Sequence, residues 1–524
     1  MTGPDSAPSI DSVAAIVRAH ARAGGGRPAV TCEQTTLTFE DLDVRSSRVA
    51  NALAAEGLRV GDRVAYLDRN APEFFELLFG CAKLGAVLTP INWRLSDQEI
   101  ASVLEDSSAS LLVVREEFAA RLEGHVAMLR KVVIGGSSAS NYADWLTGRP
   151  DTDPRHPSSP HDVVLQLYTS GTTGVPKGVM LTEANLLALA APGVELLSLE
   201  PASVNLVPTP LFHIGGSGYA LIGLHCGCHT VLVRHPDPPE MVRVIAERRV
   251  TNVFVVPAVL SMMLAIVEGE SVDLSSLQVV SYGASPISED VLVRAMRSMD
   301  CEFVQVYGLT ETTGTITLLT DADHHRALAG DHPERLRSAG RPVAGASLRI
   351  VDVASGREVP PGEVGEIWIS SPQNTVGYWR KPAETAAALH PDGWLRTGDA
   401  GFMDGESYLF IHDRIKDMVI SGGENVYPAE VENVIMSHPD VVEVAVIGVP
   451  DQRWGETVKA AVVARPGSGL TSGALIAFCR KRLAHYKCPT TVDFHDALPR
   501  NASGKVLKRE LRARYWSDQG RAVG

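Results

Sequence analysis

Long hydrophobic runs are missing from this 524-residue sequence: none approaches the roughly 18 residues that span a bilayer. The first residues, Met1-Thr2-Gly3-Pro4-Asp5, carry no basic stretch followed by an apolar core, so no secretory leader is expected. Positive charge is in deficit. There are 48 Lys and Arg against 62 Asp and Glu, a formal charge of −14, which argues against non-specific nucleic-acid binding. Any anionic substrate must therefore be drawn in by local basic groups. Cysteine is sparse and odd in number, seven residues scattered along the chain. That usage suggests reduced thiols rather than a disulfide framework, and with the other absences a cytoplasmic protein.

The composition that remains, 45% hydrophobic and 21% charged, is that of a globular protein too long for one ordinary core. Residues 10–150 alternate strand and helix patterns. Thr38-Phe39-Glu40-Asp41 reads as a capping box opening a helix with Leu42, Val49 and Leu53 on one face, stopped at Gly57. Strands are expected at Arg63–Leu67, Leu111–Val114 and Lys131–Ile134, with a helix from Pro72 to about Leu84. Alternation of this kind implies an α/β fold with largely parallel sheets. Residues 330–400 have the character of a small antiparallel β subdomain, and the last hundred form a compact α+β unit.

The most informative stretch is Tyr168-Thr169-Ser170-Gly171-Thr172-Thr173-Gly174-Val175-Pro176-Lys177-Gly178, which follows the apolar strand Val163–Leu167. Three glycines and four aliphatic hydroxyls in eleven residues cannot pack a core. They can form a loop whose N–H and O–H groups wrap phosphate oxygens, with Lys177 adding a mobile positive charge. A plain Ser/Thr/Gly surface loop has the same composition. A Walker A loop does not, because it ends in Gly-Lys-Ser/Thr.

Further candidates lie at the ends of expected strands, where parallel sheets bind ligands. One strand runs through Asn205 and ends at His213, ahead of Gly215, Gly216 and Gly218, which with Gly314 leave room for a ligand tail. A second ends at Gly283-Ala284-Ser285, and a third at Tyr307-Gly308-Leu309-Thr310-Glu311. Gly283 and Gly308 would let a flat purine approach the backbone. Tyr307 offers an aromatic face, Thr310 a hydroxyl and Glu311 a carboxylate suited to Mg²⁺. Asp399, after Thr397-Gly398, is placed at a turn, and the charged run at 413–417 marks a domain junction.

Taken in order, these motifs resemble the signatures of adenylate-forming enzymes, most closely the fatty-acyl-CoA synthetases and coumarate-CoA ligases. The resemblance implies a large N-terminal domain of doubly wound sheets with a small β subdomain, residues 1–415, and a smaller mobile α+β domain, residues 416–524. It implies ATP and Mg²⁺, with CoA as co-substrate. Thr169 through Gly174, Gly283, Ala284, Ser285, Tyr307 and Gly308 would line the nucleotide. Asp399 would bond the ribose, Arg414 the ribose or phosphate, and His213 would stand at the acid's carboxylate. Lys177, Thr310 and Lys505 would act on the reacting phosphate, Lys416 would be the hinge, and Gly422 and Gly423 would face the acceptor thiol. The expected reaction joins a fatty or aryl acid to CoA through acyl-AMP; the alternative acceptor is a carrier protein's phosphopantetheine. Peripheral membrane contact stays open.

Two features are set aside. In His225-Cys226-Gly227-Cys228-His229, alternation on a strand would send the cysteines to one face and the histidines to the other. Arg480-Lys481-Arg482, with Lys487, reads as a solvated helical face, with a CoA phosphate or a membrane surface as the alternatives.

Overall fold

The structure, a computed structural model, describes residues 10–122, 129–136, 141–169, 176–421, 424–451, 455–500 and 506–516. The chain forms two compact units. One comprises Met1–Leu336, Gly340–Ser347 and Ser370–Leu395; the other comprises Arg337–Ala339, Leu348–Ile369 and Arg396–Gly524.

The first unit is built on two sheets. A six-stranded sheet runs in the order Lys131–Ile134, Leu111–Arg115, Arg63–Leu67, Val87–Pro90, Val163–Thr169 and Lys177–Thr182. Its first five strands are parallel and the last is antiparallel. Every residue of Arg63–Leu67 is buried, as a strand covered on both faces requires. The helix Phe39–Ala55 opens as its capping box demands. Asp41 N donates to Thr38 Oγ1 and Thr38 N to Asp41 Oδ2, each at 3.0 Å. Leu42, Val49 and Leu53 are buried, and Gly57 at φ +86° lies just past its end. Helix Glu73–Leu84 packs against it in the same core.

The nine-stranded sheet carries the remaining strand ends. Six parallel strands form its centre: Glu302–Leu309, Val279–Gly283, Asn252–Val255, Val204–Val207, His229–Leu232 and Pro28–Cys32. Antiparallel strands close it, Gly314–Leu319 with Arg341–Pro342 on one side and Thr35–Thr38 on the other.

The second unit holds a four-stranded sheet (Ser347–Val351, Gly365–Ser370, Leu395–Met403, Leu409–Arg414). It also holds a five-stranded sheet around the hairpin Val441–Asp451/Gly455–Ala464, with helices Pro428–Met436, Ser472–Arg480 and Lys508–Trp516. Val419, Val431, Ile435, Val446, Val462 and Leu475 form its core. Among the described residues no helix is long and apolar enough to cross a membrane.

Four local expectations are corrected. The strand expected to reach His213 stops at Val207, because Pro208 and Pro210 bring no N–H to extend the ladder. His213 instead precedes the helix Ile214–Cys226. That helix also overturns the strand expected over residues 225–229: Cys226 ends it, Gly227 turns at φ +81°, and the next strand begins only at His229. Asp399 lies inside the strand Leu395–Met403, not at a turn, since Gly398 at φ +69° absorbs the kink. Lastly, the helix beneath the basic cluster ends at Arg480, and Arg482 folds back over the Phe478 ring at 3.6 Å.

Candidate active site

The strands on either side of the glycine- and hydroxyl-rich segment form a β-hairpin. Val163–Thr169 pairs antiparallel with Lys177–Thr182, so Thr169 faces Lys177 and Tyr168 faces Gly178 across the ladder. Ser170, Gly171, Thr172, Thr173 and Gly174 lie outside the described residues. Lys177 is thereby held at the start of a strand, opposite Thr169. A Cβ on Gly178 would come within 2.7 Å of Gln166 Nε2, so a side chain there requires that amide to shift.

A second segment clamps the hairpin from the side. Met180 N donates to Gly377 O at 3.0 Å, Trp379 N to Gly178 O at 2.8 Å, and Thr375 Oγ1 to Met180 O at 2.6 Å. Tyr378 bridges Val179, and its own N–H donates to Thr385 Oγ1 at 2.9 Å. The neighbouring Trp379 ring is covered by the Arg63 guanidinium 3.3 Å from its centroid.

Glu311 sits on a single 3₁₀ turn, Thr310–Thr312, between two antiparallel strands. Hydroxyls hold that turn: Leu309 N donates to Thr312 Oγ1 at 2.8 Å, and Thr313 Oγ1 donates to Gln373 O at 2.6 Å. Thr375 N donates to Glu311 O at 2.8 Å, which ties the turn to the clamping segment. The Tyr378 hydroxyl then donates to Glu311 Oε1 at 3.0 Å, while the Lys177 ammonium lies 5.1 Å from the Tyr378 ring centroid. One aromatic side chain thus touches both the cation and the anion.

The strand-end glycines serve a different end from the one expected. A Cβ on Gly283 would lie 2.1 Å from Val306 O, and one on Gly308 only 1.7 Å from Gly314 O. Close approach of neighbouring strands requires both, whatever ligand lies beyond. Ala284, at φ +66°, and Ser285 follow on an exposed turn, and Tyr307 and Thr310 are half-buried beside Glu311.

His213 receives the first helical N–H groups on its carbonyl, from Gly216 at 2.9 Å and Ser217 at 3.0 Å. Its ring packs on Phe212, and its buried Nε2 has no hydrogen-bond partner among the described residues. Burial, with Arg94 nearby, pushes the imidazole down to about 4, so at neutral pH it is an uncharged group. The glycines after it leave less room than expected. A Cβ on Gly216 would meet Pro210 O at 2.3 Å, and one on Gly218 would meet Leu189 Cδ2 at 2.9 Å. Gly314, at φ +111°, leaves Leu189 at 3.4 Å and Ile214 at 3.7 Å.

In the second unit Asp399 and Arg414 are register partners on adjacent strands. Asp399 is buried, its N–H donating to Thr397 Oγ1 at 3.0 Å. Lys416 falls in a 3₁₀ turn, Ile415–Asp417, that Arg512 braces through Asp417 Oδ1 at 2.7 Å. Gly422, Gly423 and Lys505 lie outside the described residues. Within the first unit the structure gathers Thr169, Lys177, Tyr307, Gly308, Thr310 and Glu311 onto the hairpin, its clamp and the adjacent strand end. It adds Tyr378, which carried no role in the sequence. Only the Gly377-Tyr378-Trp379 run, an aromatic pair after a glycine, signalled that position.

Residues 17–379 match the AMP-binding enzyme family and residues 430–505 the AMP-binding enzyme C-terminal domain. A fatty acid–[acyl-carrier-protein] ligase from Streptomyces coeruleorubidus is 42% identical over 521 residues, covering 98% of this chain and 99% of its own. A feruloyl-CoA synthase from Amycolatopsis is 41% identical over 483 residues, 92% of this chain and 94% of its own. Among solved structures, an o-succinylbenzoate CoA synthetase from Bacillus subtilis in complex with its acyl-adenylate intermediate superposes with a TM-score of 0.84. It is 31% identical and covers 95% of this chain and 97% of its own.

Proposed function

The chain belongs to the AMP-binding enzyme family, and from that premise we propose that it is an AMP-forming acid–thiol ligase. It activates a fatty or aryl carboxylic acid with ATP as acyl-AMP, releasing pyrophosphate, and passes the acyl group to CoA as a thioester. The observation that carries this reading is that Lys177, just after the glycine- and hydroxyl-rich segment, and Glu311 meet on the two parts of one tyrosine. The named activities of its relatives, acid–CoA and acid–carrier ligases over nearly the full length, support the same chemistry.

A carboxylate oxygen attacks the α-phosphorus, a new P–O bond forms, and the bond to the bridging oxygen breaks as pyrophosphate leaves. Bringing two unit charges of like sign to 4 Å costs about 4 kcal/mol at an effective dielectric of 20. In this reading the positive charges of Lys177, Arg414 and Lys505 would offset that repulsion and stabilise the in-line transition state electrostatically. The donor set fits a magnesium ion. Glu311 has one oxygen held by Tyr378 and the other without a partner among the described residues. No described group of three or more acidic, His or Cys side chains surrounds it, so phosphate oxygens and water would supply the remaining ligands. When bound there, the ion would neutralise phosphate charge. Uncharged His213, with its unpartnered Nε2, would donate a hydrogen bond to the acid's carboxylate without quenching its nucleophilicity. Thr169 to Gly174, Gly283 to Ser285, Tyr307, Gly308, Thr310 and Asp399 would hold the nucleotide.

In this reading a mobile domain begins at Lys416, turns about that residue, and brings Gly422 and Gly423 to the thiol step in the cytoplasm. A carrier-protein phosphopantetheine is the second candidate acceptor, favoured by the relative named as an acyl-carrier-protein ligase. Pyrophosphate release over a panel of fatty, aryl and amino acids, each with and without CoA, tests both readings. CoA-dependent turnover ending in a thioester establishes the ligase. Adenylate formation that CoA leaves unaccelerated transfers the assignment to the carrier-protein enzyme, and no pyrophosphate with any acid refutes both.

A further inference from the structure

Lys177 and Glu311 carry opposite charges in one site, yet neither forms an ion pair among the described residues. Lysine's four-carbon stem is flexible, and an ammonium beside a carboxylate would ordinarily pair with it. What stands against both is Tyr378. Its ring face holds the ammonium at 5.1 Å, within the range of a cation–π contact, and its hydroxyl holds Glu311 Oε1 at 3.0 Å. The tyrosine itself cannot drift. Its N–H is bonded to Thr385, its backbone bridges Val179 two residues beyond Lys177, and Trp379 beside it is bonded to Gly178 and covered by Arg63. Glu311 is fixed in turn through Thr375 N.

We propose that Tyr378 is a positioning residue that keeps Lys177 and Glu311 from neutralising each other, so that the ammonium stays open to a phosphate and the carboxylate to a cation. The inference rests on the reading of those two residues as nucleotide and metal contacts. The two charges are needed at the same moment on different parts of one substrate. A direct Lys177–Glu311 pair would have to be broken at each binding event. An aromatic spacer holds each charge by a contact weaker than an ion pair to a buried partner, and yields it to the ligand.

Binding of ATP in excess EDTA isolates the ammonium, because no metal is present for Glu311 to hold. Calorimetry on the full-length protein would compare wild type with Tyr378→Phe, Tyr378→Leu, Glu311→Gln and the Tyr378→Leu/Glu311→Gln pair, with thermal melts confirming that each is folded. Phe keeps the ring and should bind metal-free ATP within about threefold of wild type, while Leu should bind about tenfold more weakly, the loss of one charge-assisted contact. Adding Glu311→Gln to the Leu variant should restore binding to within about threefold of wild type, since it removes the carboxylate that captured Lys177. A packing defect would not be rescued by a second substitution at Glu311. Leu binding as tightly as wild type, Phe as weakly as Leu, or no rescue in the double variant would overturn the spacer role. Wild-type protein that binds no ATP would instead overturn the ligase reading beneath it.

Discussion

Gly308→Ala is the most demanding perturbation of the site, because it adds one methyl group where the structure has no space at all. Gly308 pairs with Thr315 beside a register shift, and the new Cβ would lie 1.7 Å from Gly314 O and 2.5 Å from its carbonyl carbon. Those are backbone atoms, so no side chain can swing aside, and the two strands must part by more than an ångström. Overpacking of this kind costs about 1–3 kcal/mol, and this contact stands at the severe end. The displaced segment carries Glu311 three residues on, whose 3.0 Å bond from the Tyr378 hydroxyl cannot survive such a shift. Misplacing a reacting group by about 1 Å can lower a rate roughly 10²-fold. The assay is ATP–pyrophosphate exchange with the preferred acid, read beside the thermal midpoint. Gly473→Ala is the control: nothing lies within 4 Å of its added Cβ on the helix Ser472–Arg480, and it should be neutral or stabilise by up to about 1 kcal/mol. Gly308→Ala that melts with the wild type and exchanges pyrophosphate within twofold would refute the argument from close approach.

Glu183, which accepts the Val13 N–H at 2.6 Å, is pushed up to about 7 by burial. Its raised value means its stabilisation is complete below the ordinary carboxylate range and is lost as pH rises through 7, by about 3 kcal/mol. Glu183→Gln should therefore flatten the fall in denaturant midpoint between pH 5 and 8, and an unchanged slope would contradict the burial argument. His213 has the opposite sign: a value lowered to about 4 leaves stability intact above pH 6.5 and removes about 3 kcal/mol as pH falls toward 4. His213→Gln should lose that acid-limb dependence in urea titrations, and exchange by the wild type should show no imidazole limb between pH 6 and 8. Lys505→Ala should depress adenylation roughly 10²–10³-fold as a lost electrostatic clamp, while thioester formation from supplied acyl-adenylate persists. Equal loss in both half-reactions would contradict a lysine that serves only the first.

Local pattern was enough wherever the governing interactions are local. The Thr38–Asp41 capping box, the stop at Gly57 and the fully buried strand Arg63–Leu67 each follow from a few adjacent residues. Lys177 and Glu311 stood out in the sequence because each belongs to a hydroxyl- and glycine-rich run after a strand, and the structure brings both to Tyr378. The failures have equally physical causes. Around His213, two prolines end the ladder early, and a helix dense in glycine and apolar residues hides its 3.6-residue period. The Cys226–Cys228 run looked extended because Gly227, in the left-handed region, permits a helix to end there. Gly283, Gly308 and Gly216 were read as space for ligand, whereas carbonyl oxygens from Val306, Gly314 and Pro210 occupy it. The Gly377-Tyr378-Trp379 run marked the position of Tyr378 but not its contacts, since Glu311 lies 67 residues away and Lys177 about three times as far.

The central claim is that a carboxylate of the substrate attacks the α-phosphorus of ATP. Once the acid is known, one turnover with its carboxyl group labelled in both oxygens with ¹⁸O tests this directly by mass spectrometry. Attack at the α-phosphorus leaves one labelled oxygen in the AMP released on thioester formation and none in pyrophosphate. Unlabelled AMP, or label appearing in inorganic phosphate, would contradict it.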